Sequence, residues 1–237
     1  MPYHEFFPLG DSGVIVKLGK AIDESTHEKV KRLSDFLQEH LFPGMVEIVP
    51  GFTTVTVYYD PVALYDPHSG QIPYEKVIGL LEEVIASTRG GTAREPKLVE
   101  IPVCYGGEFG PDLEDVSRHS GLDPEEVIRI HSGRQYLVYM IGFAPGFPYL
   151  GGLDERLATP RRATPRTAIP QGSVGIGGSQ TGIYPTKSPG GWNIIGRTAL
   201  PLFRPESQPP SLLQAGDRVR FRPISPEQWQ ASWEVTR

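Results

Sequence analysis

The residues of this sequence with the clearest chemical potential are arginines and glycines between positions 136 and 198. Arg161, Arg162 and Arg166 lie in a proline-containing segment, and a glycine-dense run follows at positions 172–182. A guanidinium group forms paired hydrogen bonds to carboxylate or phosphate, and proline lowers the entropic cost of presenting it. Bare backbone amides can also hold an anion. This pattern predicts an anion-binding surface, although from the residues alone a solvated loop remains the alternative.

The glycine-dense run does not match the common nucleotide-binding motifs. It lacks the Gly-Lys-Ser/Thr ending of a P-loop, and Gly175, Gly177 and Gly178 do not have G-x-G-x-x-G spacing. A set of β-turns and bulges, where only glycine tolerates the backbone conformation, is the interpretation that residue chemistry favours.

Neither a catalytic nucleophile nor a metal site is indicated by residue spacing. Ser173 and Ser179 lie outside a G-x-S-x-G pattern, and Cys104, the single cysteine, is predicted to be a buried and inert thiol. The sequence has no H-E-x-x-H motif, and we interpret His119 and His131, near predicted helix ends, as structural. Residue chemistry therefore predicts a binding surface, with no metal, rather than a complete reaction.

Aromatic residues form a second group of candidates. Phe143, Phe147 and Tyr149 flank a Pro-Gly turn, and Trp192 follows a pair of glycines. Exposed aromatic residues on a turn can form a lid or a ridge that docks a partner. Such residues more often cover the end of a barrel, and that is the interpretation we favour from the residues alone.

Composition bounds the class of protein. The chain has 237 residues and a formal net charge of −5, which is enough length for a self-sufficient core and makes nucleic acid an unfavoured partner. A single cysteine excludes an intramolecular disulfide. The N-terminus does not resemble a secretion signal, and no apolar run approaches the ~20 residues that span a bilayer. We therefore expect a cytoplasmic protein without a membrane partner.

The first part of the chain predicts a small α+β domain. Asp23 or Ser25 can cap a helix whose Val30, Leu33, Leu37 and Leu41 share one face. Strands are predicted at 5–9, 14–18, 46–49 and 54–59, a polar loop at 60–70, a second helix at 73–88 and a linker at 89–96. The order ββαββα predicts two helices on a four-stranded antiparallel sheet, a ferredoxin-like domain over residues 1–93.

The second part, residues 94–237, predicts a β-barrel domain with a short helical insertion. A strand is expected at 97–105, followed by a helix at 113–119 that Asp112 can cap and Gly121 ends. Asp123 begins a further helix that ends at Ser132 and Gly133. From Tyr136 onwards, short apolar pieces alternate with Gly and Pro clusters, which favours many short strands closed into a barrel or sandwich.

Several long blocks of the second part resemble one known family. The resemblance covers nearly the whole chain and rests on positions 142–150, 165–176, 180–184, 188–192 and 195–198. These blocks resemble the signatures of the KipI family, which comprises the B subunits of ATP-dependent 5-oxoprolinase. That family is often labelled allophanate hydrolase subunit 1 and is similar to the carboxyltransferase region, subdomain C and D, of urea carboxylase.

The resemblance implies a fold and a reaction. The fold class would be α+β, with the small N-terminal domain joined to a cyclophilin-like β-barrel. The chain would act with a KipA-like C subunit and an A subunit to convert 5-oxoproline, ATP and water into glutamate, ADP and phosphate. ATP would be a co-substrate, with Mg²⁺ bound at the level of the complex, and the isolated chain would be inactive. Because phosphoryl transfer depends on positioned cations and amides, no nucleophile is required in this chain.

The resemblance also implies the site residues. Arg166 would neutralise phosphate or the substrate carboxylate, and Trp192 and Phe143 would line the pocket or face the partner. The implied catalytic residues are Arg166, Ser173, Gln180 and Tyr184. The implied substrate- or ATP-binding residues are Phe143, Pro145, Gly146, Gly172, Pro189, Gly190, Gly191, Trp192 and Arg197.

Two alternative functions follow from the same resemblance. The family includes an inhibitor of a sporulation histidine kinase, so the chain could be a protein that binds a sensor kinase. The allophanate label indicates instead a protein that processes allophanate or urea as part of a complex.

Overall fold

A computed structural model shows two compact units, Met1–Glu95 and Pro96–Arg237. The residues that it describes are 3–68, 70–88 and 96–235. The predicted boundary between residues 93 and 94, and the predicted linker up to residue 95, lie outside the described residues. In the part of the chain that is described, no helix is long and apolar enough to cross a membrane.

The first unit has the predicted ββαββα order with one additional short helix. Its four strands form an antiparallel sheet in the order β1-β2-β4-β3. The elements are β1 (Glu5–Pro8), β2 (Gly13–Lys17), α1 (Glu24–Glu39), β3 (Met45–Pro50), β4 (Thr54–Tyr59), α2 (Pro61–Leu64) and α3 (Pro73–Ser87). Alternate residues of β4 are buried, as its period of two predicted.

Helix α1 begins as predicted but ends earlier. The Asp23 carboxylate accepts a hydrogen bond from the Thr26 amide at 2.7 Å and caps the helix. Val30, Leu33 and Leu37 are buried, as their helical spacing predicted. The inward position predicted for Leu41 is wrong, because α1 ends at Glu39 and the Leu41 side chain is 69% exposed.

The predicted loop at 60–70 contains a helical turn instead of a continuous loop. Asp60 accepts hydrogen bonds from the amides of Val62 and Ala63, and Pro61 occupies the first turn. Leu64 is buried, so a single apolar anchor fixes this turn. Position 69 of the predicted loop lies outside the described residues.

The second unit contains the predicted closed barrel. Seven strands close in the order β10-β7-β6-β13-β5-β12-β9, and two further strands, β8 and β11, form a separate ribbon. The pair β5 and β13 is parallel, and the other barrel pairs are antiparallel. The strands are β5 (Leu98–Tyr105), β6 (Gln135–Ile141), β7 (Pro148–Gly151), β8 (Arg166–Ile169), β9 (Ser173–Gly177), β10 (Gln180–Ile183), β11 (Ser188–Gly190), β12 (Asn193–Arg197) and β13 (Arg218–Pro223).

The helices of the second unit are α4 (Leu113–Ser120), α5 (Pro124–Ser132) and α6 (Pro226–Val235). Gly121 ends α4 in the left-handed conformation at φ 71°, and Asp123 caps α5 through the Glu126 amide at 2.8 Å, so both predictions are confirmed. Helix α6 was not predicted; it buries Trp229.

A buried histidine lies among the apolar side chains of the second unit. His131 is fully buried and stacks on Phe221 with ring centroids 4.5 Å apart. The Thr181 hydroxyl donates to the Gly175 carbonyl at 3.0 Å, so it must accept from His131 Nε2 at 2.9 Å, and Tyr105 Oη then donates to Nδ1 at 2.8 Å. Burial lowers the pKa of His131 to about 3, so the ring is neutral.

A buried carboxylate ties together distant parts of the second unit. Asp112 precedes α4, but its side chain makes no capping bond, contrary to the prediction. Its oxygens accept from Arg162 Nη1 at 2.8 Å, from Arg166 Nη1 and Nη2 at 2.7 Å each, and from the Ile194 amide at 2.6 Å. Because these partners lie 50 to 82 residues along the chain, the contact fixes β8 and β12 against the start of α4.

We expect His131 to make the second unit sensitive to acid. Its pKa rises from about 3 in the folded state to about 6.5 on unfolding, so the unfolded chain binds the extra proton and stability is lost as pH falls through this window. Between about pH 6.5 and 4.5 this residue should account for a loss of about 2 kcal/mol. The three tryptophans all lie in the second unit, so urea unfolding followed by tryptophan fluorescence reports on it.

Two variants isolate this effect. His131→Gln should start from a lower stability but show a shallower fall with pH, because the titrating group is gone. The exposed His119→Gln variant should keep the wild-type slope. Equal slopes for wild type and His131→Gln would contradict the assignment.

Replacing Asp112 with asparagine should destabilise the second unit by about 3–5 kcal/mol, because two guanidinium groups lose their buried counter-charge. Asp115→Asn is the matched control: its side chain is 47% exposed and it also contacts arginine, so it should cost less than about 1 kcal/mol. Urea titration followed by tryptophan fluorescence measures both. Similar losses for the two variants would show that Asp112 does not carry the fold.

Candidate functional site

An aromatic cluster lies against the outer face of the barrel. Phe147, Tyr184 and Trp192 are each at most 5% exposed and meet edge to face, with ring centroids 5.5 to 6.4 Å apart. Ile169 and Ile194 complete this cluster. In β9 and β10, the side chains that alternate with the outward-facing positions point into the barrel and belong to its core. We call this group the outer aromatic cluster.

Glycines allow the rings to lie directly on the sheet. A Cβ atom at Gly177 would lie 2.5 Å from Trp192 Nε1, and one at Gly182 would lie 3.1 Å from Trp192 Cζ3. A Cβ at Gly190 would overlap Tyr184 Oη. These three positions are therefore glycine because an aromatic ring occupies the space of a side chain.

Other glycines are required by the backbone. Gly178 turns β9 into β10 at φ 64°, and Gly172 adopts φ 81° where a Cβ would overlap the Thr198 carbonyl. The Gly172 amide is itself bonded to the Tyr184 carbonyl at 2.8 Å, so it is not free to hold an anion. These positions agree with the turn-and-bulge interpretation of the glycine-dense run.

Three of the four predicted catalytic residues lie on one face of the barrel. A Cβ atom on Gly182 would point at Trp192, on the outer face of the barrel. Gln180 and Tyr184 lie two residues before and after Gly182, so by strand alternation their side chains also point outward. Ser173 points outward by the same alternation in β9, and its carbonyl accepts from the Tyr184 amide at 2.9 Å. Ser173 is only 1% exposed, whereas Gln180 is partly exposed. The roles predicted for these residues remain predictions.

The fourth predicted catalytic residue, Arg166, is engaged within the chain. Both of its terminal nitrogens bind the Asp112 carboxylate, which raises the pKa of the guanidinium. Arg162 shares the same carboxylate at 2.8 Å. The structure therefore gives Arg166 an internal counter-ion where we had expected a phosphate or substrate carboxylate.

Arg161 is the remaining arginine of this segment; it belongs to the predicted anion-binding pattern but not to the site residues that the resemblance implied. It is exposed and makes no ion pair within residues 3–68, 70–88 and 96–235. Burial raises the pKa of the Tyr184 phenol, and the backbone of Trp192 and the charge of Arg161 partly oppose that rise. Arg161 is thus an uncompensated cation beside the outer aromatic cluster. Three neighbouring arginines look equivalent in sequence, and only the position of Asp112 separates them.

Arg197 is held against the C-terminal helix and not by the outer aromatic cluster. Its guanidinium lies 5.2 Å from the ring of Trp229 and 5.3 Å from that of Trp233, and its Nε donates to the Gln171 carbonyl at 2.8 Å. Burial lowers the pKa of this guanidinium. The binding role predicted for Arg197 stays a prediction.

The turn at residues 143–147 carries one buried and one exposed aromatic residue, so one fits the predicted barrel cover and the other the predicted docking ridge. Phe147 is 3% exposed and covers the barrel wall within the outer aromatic cluster. Phe143 is 66% exposed, adopts φ 66°, and meets Phe147 edge to face at 5.4 Å. Gly146 packs closely on Phe203, and Pro145 is exposed. Phe143 is therefore an apolar side chain presented to solvent on a strained backbone.

The predicted residues 189–191 form the outer edge of the same region. Pro189 is exposed, and Gly190 pairs with Arg166 in the ribbon of β8 and β11. The Gly191 carbonyl accepts from the Arg162 amide at 2.7 Å. These contacts join the arginine segment to the strand that precedes Trp192.

The described residues present groups that can bind an anion or a partner. Within them, no group of three or more His, Cys, Asp or Glu side chains converges as a metal site. Cys104 is buried, and burial raises the pKa of its thiol, so a reactive thiolate is not favoured. What the surface presents is a free guanidinium, apolar rings and the exposed Phe143, a combination that can hold an anionic ligand or a protein partner.

Comparison with known proteins finds relatives of similar length and a more distant, much longer one. It is 49% identical to the 5-oxoprolinase B subunit of Bacillus subtilis, with 94% of each chain covered. It is 42% identical to the 5-oxoprolinase B subunit of Escherichia coli O157:H7 over 91% of this chain. A more distant relative, urea amidolyase of Lachancea kluyveri, is 25% identical, and the match covers 92% of this chain but only 13% of that protein.

Solved structures share the fold. The crystal structure of TTHA0988 superposes with a TM-score of 0.77 at 33% identity, over 90% of this chain and 40% of that one. The family model of the carboxyltransferase domain, subdomain C and D, matches residues 4–213, which spans both units. On these grounds the chain belongs to the carboxyltransferase subdomain C and D family.

Proposed function

We propose that this chain is the B subunit of an ATP-dependent 5-oxoprolinase and that it acts with a KipA-like C subunit and an A subunit. The observation that carries the proposal is the match to proteins named as 5-oxoprolinase B subunits over nearly the full length of both chains. The position of Arg161 beside the outer aromatic cluster supports a role in binding and positioning within a larger assembly. Because the reaction uses ATP, the cytoplasm is the compartment that we propose.

The proposed reaction opens a lactam ring at the expense of ATP. ATP transfers its γ-phosphoryl group to the lactam oxygen, which makes the ring carbon easier to attack. Water adds to that carbon, and the C–N bond breaks with the ring nitrogen leaving as the amine. A second water releases phosphate from the resulting acyl phosphate, so 5-oxoproline, ATP and two waters give glutamate, ADP and phosphate. Mg²⁺ would accompany ATP at the level of the complex.

This chain would contribute charge and positioning to that reaction. Arg161 would pair with the substrate carboxylate or a phosphate, since its guanidinium has no carboxylate partner among the described residues. Tyr184, whose pKa burial raises, would remain a neutral hydrogen-bond donor at physiological pH. Arg166 and Arg162 would act indirectly, by fixing the segment that carries Arg161 to Asp112.

A second candidate function is supported by one relative. The similarity to urea amidolyase favours a protein that processes allophanate or urea as part of a complex. Both reactions take place at an amide carbonyl, so the surface beside the outer aromatic cluster would serve either substrate. The two are separated by asking which substrate the assembled complex turns over.

Arg161→Ala should reduce 5-oxoproline-dependent ADP release by roughly 10- to 100-fold, because a cation that stabilises developing negative charge is lost. The assay mixes this chain with the KipA-like and A subunits and follows ADP with a coupled enzyme. Arg222→Ala is the matched control: this exposed arginine at the end of β13 should leave the rate within about twofold.

Each outcome of that assay bears on a different claim. Full activity of Arg161→Ala would remove Arg161 from the reaction but leave the function standing. No 5-oxoproline-dependent ADP release with the three wild-type subunits would refute the function itself. Turnover of allophanate or urea by the same mixture would favour the second candidate.

Phe143→Ala should weaken binding to the KipA-like protein by about 10- to 100-fold, because an exposed aromatic side chain on a fixed turn is typical of an interface anchor. Leu212→Ala is the control, since Leu212 is a 40% exposed apolar residue of the same unit. Isothermal titration calorimetry of purified subunits measures both affinities. An unchanged affinity for Phe143→Ala, or an equal loss for the control, would place the interface elsewhere.

A further inference from the structure

The first unit contains a cavity that involves none of the residues proposed for the reaction. Its volume is about 420 Å³, within the range of small-molecule sites. It lies between the segment before β1, the first half of α1 and the end of α3, and every lining residue belongs to the first unit. The apolar part of its wall is formed by Leu18, Leu33 and Ile85.

The polar part of the wall has an excess of positive charge. Lys29 and Arg32 line the cavity from α1, and Glu28 is the one acid among the lining residues. Neither Lys29 nor Arg32 makes an ion pair within the described residues, whereas Lys31 of the same helix is paired with Asp35. The two cations that face the cavity are therefore the ones without an internal counter-charge.

Part of the Arg32 guanidinium is buried. Its Nε is covered by protein atoms and has no hydrogen-bond partner within the described residues. Because a ligand oxygen could not reach Nε, an anion in the cavity would meet the terminal nitrogens of Arg32.

We propose that this cavity binds a small organic anion, a carboxylate or phosphate carried on a compact apolar body. The anionic oxygens would pair with the terminal nitrogens of Arg32 and with Lys29, and the apolar body would pack on Leu33 and Ile85. Ser25, in the first turn of α1, adds a hydroxyl at the positive end of the helix dipole. The proposal does not depend on the function of the barrel unit.

The test titrates the full-length chain with four probes: benzoate, phenyl phosphate, inorganic phosphate and benzamide. Calorimetry measures affinity, and methyl NMR locates binding through the shifts of Leu33 and Ile85. Benzoate or phenyl phosphate should bind saturably and shift these methyl groups, and comparison of the two identifies the preferred anion. Benzamide, the neutral analogue of benzoate, and inorganic phosphate, which lacks an apolar body, should each bind at least about tenfold more weakly.

Variants complete the test. Arg32→Gln should weaken binding of the preferred probe at least about tenfold, whereas Lys76→Gln, an exposed lysine of α3, should change it by less than about twofold. Arg32→Lys keeps the charge but removes the paired terminal nitrogens of the guanidinium and should fall between them. Methyl spectra of the free variants confirm folding. The proposal is wrong if neither aryl anion binds saturably, if benzamide or phosphate equals the better of them, or if Arg32→Gln binds like wild type.

Discussion

The Asp112 carboxylate is the contact on which the candidate surface depends. It is buried, and it is bound by two guanidinium groups and the Ile194 amide. A buried carboxylate is tolerated only when it is paired and hydrogen-bonded, so these partners are required once Asp112 is placed there. The same contact fixes the arginine segment, the ribbon of β8 and β11, and the strand after Trp192. It also determines which arginine stays free, because Arg162 and Arg166 are used in the fold and Arg161 is not.

The outer aromatic cluster depends on glycine in a comparable way. Gly177 and Gly182 leave room for the indole of Trp192 directly on the sheet, and Gly190 leaves room for Tyr184. Rings packed on bare backbone bury large apolar area at a fixed position and angle. The density of glycine in this part of the chain is thus explained by aromatic packing and by tight turns. Phe143, the exposed neighbour of this cluster, extends an apolar surface from a well-packed base, which suits contact with a partner protein.

Local patterns in the sequence predicted most helices and strands, but they carry no information on contacts between distant residues. The alternation in β4, the Asp123 cap and the Gly121 stop are local signals, so they were readable without a structure. Asp112 was misassigned as a cap because an Asp before a helix has a sufficient local explanation, while its true partner Ile194 is 82 residues away. The C-terminal helix was missed although its start carries a local signal: Ser225 and Gln228 form a capping box, and Pro226 occupies the first turn. The family motifs singled out Arg166 among the three arginines and gave no sign that Asp112 is its partner.

We therefore propose that Arg166 has a structural role and that Arg161 faces the ligand. The most direct measurement is a structure of this chain in complex with the KipA-like protein and 5-oxoproline. We expect Arg166 to remain paired with Asp112, while Arg161 and Tyr184 face the ligand or the partner across the outer aromatic cluster. A complex in which the ligand binds Arg166 with the Asp112 pair broken, or in which this face is open to solvent, would contradict this proposal.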